Sequence, residues 1–354
     1  MMSSIIGKIC NKWEKHVARK QARFVNRISS DLKGKIYEYQ KEICRRSQIP
    51  LGNIKQLAQP IAEDLFYANT TDFSEALFYG DLQALLDYSG LSFMSFPPTN
   101  LGVQHGYVFE IRKWEKSKLD KRNLVWSSKL VDMYHQYTTN PNVYAIGAPF
   151  FYAKPHLNKN QLIEEKQRLG KNLLAFPMHS QSDVDTNYDP DKFLGILSEE
   201  RKRFDTVRVC MYWKDVLRGS HKIFEDAGFE CVCNGHLFDP NFLCRQKTLF
   251  ELADATISNG VGSHIGYSIF MNKPHWLIDD EYEYVNTQAT GDADDLTDVT
   301  QRENFLMVKR AFLDNTDYII TQQQRDVVDV FWGISEMKAP EIIRDILVRL
   351  YESD

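Results

Sequence analysis

The stretch ADATISNGVGSHIGYSIFMNKP, residues 253–274, decides the fold. TISNG (256–260) reads as a short strand and its loop, and GSHIGYSIFMNK (262–273) as the helix that follows. A short apolar run that feeds a glycine turn and then a helix is one unit of a parallel β-α sheet. The turn has a physical use. Gly260 and Gly262 let backbone approach a ligand closely, and Ser263 supplies a hydroxyl. The helix start at His264 offers unpaired N–H groups and partial positive charge, a seat for phosphate. A tight strand-to-helix turn with no ligand is the plain alternative. The stretch has neither the GxxxxGK[ST] spacing of a P-loop nor GxGxxG, which argues against a P-loop NTPase and a dinucleotide dehydrogenase.

The same alternation extends upstream and downstream. LLAFPMHS (173–180), TVRVCMYW (206–213), FECVCNG (229–235) and PHWLID (274–279) read as strands. DPDKFLGILSEERKRF (189–204), GSHKIFEDAG (219–228) and NFLCRQKTLFELADA (241–255) read as helices, with Asp189 capping ahead of Pro190. Four repeats of strand and helix predict a doubly wound parallel sheet. The first half is less regular: LFYGD (77–81), SGLSFMSF (89–96), GVQHGYVFEI (102–111), LVWSS (124–128) and VYAIGAPFFYA (143–153) are its apolar pieces, and NKNQLIEEKQRLGK (158–171) links the halves. Two helices, near 322–333 and at 339–352, end the chain.

The 354 residues are 43% hydrophobic and 26% charged, an ordinary globular composition with length for two domains and two cores. It excludes collagen, low-complexity and disordered chains. No apolar run spans a bilayer and no signal peptide is evident, so a cytoplasmic location is expected. The six cysteines are scattered with no C-x-x-C, as reduced structural thiols would be. The net charge of −5 hides an asymmetry: residues 1–46 carry +8 and the rest −13. Apolar residues from Ile5 to Leu32 recur at helical intervals, giving a basic amphipathic helix. It suits an anionic membrane face, or it docks its apolar stripe on the body and leaves its charges in water. No nucleic-acid motif is present and the remaining chain is acidic, so no nucleic-acid partner is expected.

In an open α/β sheet ligands bind beyond the carboxyl ends of strands. His179-Ser180 follows one strand, Asn234-Gly235-His236 another, and Asn259 to His264 a third. In the first half Gln104-His105-Gly106 interrupts an apolar run. Three histidines in one crevice could also ligate zinc, but their spacing matches no ligand pattern. The acidic loop TGDADDLTD (290–298) does not match an EF-hand and reads as solvated.

QHGY (104–107), LVWSS, YAIGAPFFYA (144–153), AFPMHS (175–180) and the 253–274 stretch together resemble bacterial glycosyltransferases of the two-Rossmann (GT-B) type that build capsule or O-antigen polysaccharide. The resemblance covers residues 75–280. It implies an α/β fold of two Rossmann-like doubly wound domains: a basic segment at 1–46, an acceptor domain at 47–160, a nucleotide-sugar domain at 161–315, and crossover helices at 316–354 returning to the first domain. It implies a nucleotide-sugar donor, a glycan or lipid-linked glycan acceptor, no cofactor and no metal; where the basic helix of residues 1–46 takes a membrane rather than the body, the protein is peripheral on the inner membrane face. His179-Ser180 and Gly262-Ser263-His264 are similar to the His-Pro and Ser-Ser motifs of GT-B sialyltransferases, which bind the phosphate of CMP-linked nonulosonic acids. This chain departs from both, with Ser180 in place of Pro and His264 after a single Ser.

The roles expected from this are a base for the acceptor hydroxyl at His105, with Asp81 second, and phosphate contacts from His179, Gly262, Ser263 and His264. Ser180, Asn234, His236, Asn259, Gly260 and Tyr267 complete the donor side. Asp81 alternatively caps the helix DLQALLDY (81–88), and His105 is alternatively a core histidine. An epimerase on the same fold and a non-catalytic capsule-assembly partner are the rival readings of the chain.

Overall fold

The computed structural model describes residues 30–61, 75–91, 101–111, 122–181, 184–286 and 297–352. In the first half, β1 (Leu101–Val103), β2 (Arg122–Val125) and β3 (Val143–Ala145) form a parallel sheet in that order. The second half supplies β4 (Asn172–Phe176), β5 (Val184–Tyr188), β6 (Thr206–Met211), β7 (Glu230–Cys233), β8 (Ala255–Ser258), β9 (His275–Leu277) and β10 (Tyr282–Asn286). Five of these pair in parallel in the order β7-β6-β4-β8-β9, while β5 and β10 form an antiparallel ribbon.

The five-stranded sheet is covered on both faces, which is why its strands read as near-continuous apolar runs. Along β4, Leu174 and Phe176 join one apolar cluster while Leu173 and Ala175 join another. Helix 190–200 (Phe193, Leu197) packs with the second cluster, and helices 242–252 and 263–270 pack with the first. Asp189 caps helix 190–200 as expected, its carboxylate accepting from the Asp191 N–H, with Pro190 in the first position. The strand order reverses between β4 and β8: the chain leaves β4 toward β6 and β7, then returns to the other side for β8 and β9. A crevice opens at such a reversal, outside the carboxyl ends.

The halves do not hold two separate cores. One apolar cluster runs from Leu101, Leu124 and Trp126 in the first half, through Phe150 and Tyr267, to Phe176 and the C-terminal Phe331 and Trp332. Helix 322–332 lies on helix 263–270, where the Trp332 indole N–H donates to the Ser263 carbonyl at 3.0 Å. Gly266 makes this approach possible, because a Cβ there would overlap the Trp332 ring. Gly266→Ala is therefore expected to cost about 1–3 kcal/mol through overpacking, read as a lower urea midpoint; an unchanged midpoint contradicts the close approach. Helix 340–352 lies on helix 81–89, with Arg344 Nε donating to the Ser89 carbonyl at 2.6 Å. The chain end thus returns to the first half.

Several sequence expectations are corrected. The apolar piece LFYGD falls almost wholly in a 3-10 turn over 75–80, with Tyr79 at φ 56. GVQHGYVFEI pairs only to Val103, and Pro149–Tyr152 is a 3-10 turn. The ribbon of β5 and β10 and the helix Trp213–Arg218 were not predicted; β5 (VDTNY) is half exposed and carries little apolar signal. Residues 92–96 and 290–296 fall outside the described residues, and so do the apolar positions Ile5 to Ile28. Helix 30–47 crosses the expected boundary at residue 46. Arg46 at its end is not left in water but fully buried, its Nε 2.6 Å from Asp239 Oδ2. Among the described residues no helix is long and apolar enough to cross a membrane.

Candidate functional site

A cavity of about 450 Å³ lies where loops from both halves meet. It is lined by the segment after β1 (Gln104–Phe109), the segment after β4 (Pro177–His179), Tyr212 after β6, Asn234 after β7, and Val261–His264 after β8. All five follow carboxyl ends of parallel strands, as the strand-end rule requires.

Of the expected residues, His105, Asp81, His179, Asn234, Gly262, Ser263, His264 and Tyr267 line this cavity. His105 is held by its neighbour. Gln104 accepts the Trp126 backbone N–H at 2.7 Å and donates to the Gly106 carbonyl at 2.7 Å, and its own carbonyl takes the Trp126 indole N–H at 2.9 Å. The half-buried His105 ring stands nearly perpendicular to Phe78, ring centroids 4.8 Å apart. His179 keeps an exposed edge and stacks on Tyr212, ring centroids 4.6 Å apart.

Asp81 does not cap its helix. Gly80 occupies that position, and no side-chain cap bond is made. The Asp81 carboxyl is 2% exposed and its Oδ2 has no hydrogen-bond partner. Burial pushes it well above the usual carboxylate range, so it presents a neutral acid to the cavity. A proton held more tightly folded than unfolded gives a contribution that is full at low pH and lost as pH rises through the folded value. Asp81→Asn removes that loss. Its stability relative to the parent is expected to rise as pH rises above the ordinary carboxylate range, measured by urea denaturation at each pH; a constant difference contradicts the neutral carboxyl.

His264 opens helix 263–270 at 9% exposure, its ring stacked on Phe176 with centroids 4.7 Å apart and planes 9° apart. Burial, then the neighbouring His275 and His179, hold it well below the ordinary imidazole value. The ring is therefore neutral at ordinary pH and adds no positive charge to the site. Its Nε2 has no partner. Gly262 precedes the helix, and a Cβ there would lie 2.6 Å from the His264 ring. Tyr267, one turn on, stacks on Phe150 at 4.1 Å.

The other expected donor residues stand behind the wall. Ser180 is fully buried; its N–H and hydroxyl both donate to Asp215, at 3.0 and 2.8 Å, and Arg218 donates to its Oγ at 3.0 Å. Asn259 ties two loops together, accepting the Met178 N–H at 2.6 Å and donating to Asp280 at 2.9 Å. Gly260 is the close approach beneath this tie, since a Cβ would overlap Met178. His236 packs on Trp213 at 4.3 Å and accepts the Phe238 N–H; burial lowers it to about 4. These four order the loops and do not line the cavity. His179, His236 and His264 form no ligand set, and no group of three or more His, Cys, Asp or Glu among the described residues is placed for a metal.

Sequence reasoning missed the tyrosines that clasp the halves. Tyr79 and Tyr212 hydroxyls lie 3.1 Å apart, the Tyr79 N–H donates to the Leu237 carbonyl at 2.7 Å, and Tyr107 donates to the Val261 carbonyl at 3.2 Å. Tyr212 stands at the end of TVRVCM, where the strand-end rule could have found it. The positive φ of Tyr79 leaves no mark in the sequence. The described lining holds no Lys or Arg. An anion in this cavity is therefore met by the start of helix 263–270, which no side chain caps.

No protein-family model and no curated protein matches the chain. Among solved structures it is similar to the wall teichoic acid polymerase TagF at 12% identity, over 73% of this chain and 68% of that one, with a TM-score of 0.42. It is similar to a variant of the same polymerase at 11% identity, over 92% and 100% of the two chains, with a TM-score of 0.40.

Proposed function

We propose that the protein is a glycosyltransferase that moves a sugar from a nucleotide-sugar donor to a hydroxyl of a glycan or lipid-linked glycan. One observation carries the reading: an uncapped helix start, preceded by two glycines, opens at the strand-order reversal into a cavity without Lys or Arg among its described lining. Such a start binds the phosphate of the donor and stabilises the negative charge it gains on departure. The neutral Asp81 carboxyl avoids repelling that phosphate. His105, from the opposite half, serves as base for the acceptor hydroxyl, and the exposed edge of His179 contacts the departing phosphate. We take a CMP-linked nonulosonic acid as the first donor to test and expect transfer without a metal ion. Residues 1–29 supply basic charge for an anionic membrane face at the cytoplasmic side. A deletion that tests this stops at residue 29, because Arg46 belongs to the folded body.

The experiment measures nucleotide released from UDP-, GDP-, CMP- and dTDP-sugars with and without lipid-linked acceptor. Release from one donor only when acceptor is present is the expected result. Conversion of a donor without acceptor identifies an epimerase instead, and inertness toward every donor leaves a non-catalytic assembly partner.

A further inference from the structure

The turn that carries Tyr79 holds a conformation its sequence disfavours. Phe78 (φ −58, ψ 135) and Tyr79 (φ 56, ψ 7) take the two central positions of a type II turn. The second of these favours glycine or asparagine, because a left-handed backbone crowds a Cβ. A bulky residue persists there only where its surroundings over-determine it. Loop 236–240 of the second half does so. The Tyr79 N–H donates to the Leu237 carbonyl at 2.7 Å, and Phe78 packs on Phe238 with ring centroids 5.3 Å apart. A Cβ on Gly80 would overlap the Pro240 carbonyl, so the turn and the loop touch backbone to backbone. Asp239 in the same loop is itself pinned by buried Arg46 and Arg245.

The strained turn holds a tyrosine side chain in the cavity lining. Its ring packs on Phe242, centroids 4.8 Å apart, and its hydroxyl lies 3.1 Å from that of Tyr212 at the end of β6. Each tyrosine also stands beside one of the two histidines given roles above. In the first half His105 has ring centroids 4.8 Å from Phe78 and 6.1 Å from Tyr79. In the second half His179 stacks on Tyr212 at 4.6 Å, with planes 29° apart. The hydroxyl pair is thus the polar link in one run of rings, from His105 through Tyr79 and Tyr212 to His179. Ring packing tolerates sliding, whereas a hydrogen bond prefers one distance and direction.

We infer that Tyr79 and Tyr212 are a positioning pair whose hydrogen bond, maintained by the strained turn, sets the spacing of His105 and His179 across the cavity. That these histidines act on an acceptor hydroxyl and a departing phosphate rests on the reading above; the link between the rings does not. In that reading the spacing matters for turnover, because the reacting atoms have to be held almost in contact and a misplacement of about 1 Å costs about 100-fold. Neither tyrosine belongs to the helix start proposed to seat the donor phosphate, so breaking the link acts on kcat and spares donor binding.

The test uses Tyr79→Phe, Tyr212→Phe and the double variant, which keep the rings and remove only hydroxyls. First, the ring-proton signals of His105 and His179 are followed by proton–carbon NMR on histidine-labelled protein without substrate, assigned by their loss in His105→Ala and His179→Ala. Such signals move with the distance and tilt of neighbouring rings. Each single variant is expected to shift both histidines, including the one on the far side of the link, and the double variant to shift them no further. Tyr79→Phe leaving His179 in place, together with Tyr212→Phe leaving His105 in place, overturns the inference. Second, with whichever nucleotide sugar is turned over, each single variant is expected to lower kcat about 10- to 100-fold with the donor KM unchanged. The double variant is expected to lose no more than either single one, as for two groups that share one contact. Losses that multiply in the double variant, or a raised KM with kcat retained, overturn it as well. The NMR arm involves no donor, so the link stands or falls there even if the protein is no transferase.

Discussion

Asp239→Ala is expected to destabilise the protein by about 3–5 kcal/mol, the cost of leaving buried charge without its partner. Asp239 is fully buried between two equally buried guanidinium groups, 2.6 Å from Arg46 Nε and 2.8 Å from Arg245 Nη1. Carbonyls take further donors of the two arginines, Arg46 to Leu57 and Gln59, Arg245 to Asn234 at 3.0 Å and to the Arg46 carbonyl at 2.6 Å, while Arg245 Nε has no hydrogen-bond partner and Glu42 stands 3.8 Å from Arg46 Nη1. Without the carboxylate, two positive charges face each other away from water. The loss also reaches the cavity, because Arg245 holds the carbonyl of Asn234, a lining residue. Gly235, at φ 114, lets the turn pass close over Asp239. Urea unfolding checks the magnitude. Arg46→Met in the Asp239→Ala background is expected to restore part of the loss by removing one of the charges. A cost under about 1 kcal/mol for Asp239→Ala, or a further loss in the double variant, contradicts the buried trio.

That trio also marks where sequence reading stops. Period-2 and period-3.6 patterns made the second half legible, since β4, β6, β7 and β8 are buried on both faces and helix 190–200 begins at the recognisable cap Asp189. The glycine turn at 260–263 was legible for the same reason: backbone approach demands glycine, and glycine is visible in sequence. Charge gave the opposite lesson. Arg46 sits in a run of basic residues that reads as solvated, yet its partner is 193 positions away, and no local pattern encodes a pairing of that separation. Burial likewise divided the histidines. His179, His236 and His264 follow three strands in the same manner, but only His179 keeps exposed surface. His264 is driven neutral at the cavity wall, and His236 packs behind the wall on Trp213. The short first-half strands were the least legible, because three-residue strands carry too few residues for a period to register.

His105→Ala is expected to reduce transfer by about 100- to 10,000-fold, the range for losing a positioned acid–base group, while donor affinity measured by calorimetry stays that of the parent. The separation of effects follows from where the groups stand. The proposed phosphate seat belongs to helix 263–270 and the loops after β4 and β8. His105 belongs to the loop after β1, across the same cavity. In the proposed step the acceptor oxygen bonds to the anomeric carbon as the bond from that carbon to the phosphate oxygen breaks. The electron pair leaves on the nucleotide, and the hydroxyl proton passes to the His105 ring and then to water. Removing the ring removes only the proton acceptor. The alternative, a histidine that merely fills space beside Phe78, makes a different prediction: His105→Ala would lower the urea midpoint yet turn over normally per folded molecule. Measuring both quantities on the same variant decides between them, and wild-type-like turnover removes His105 from the reaction.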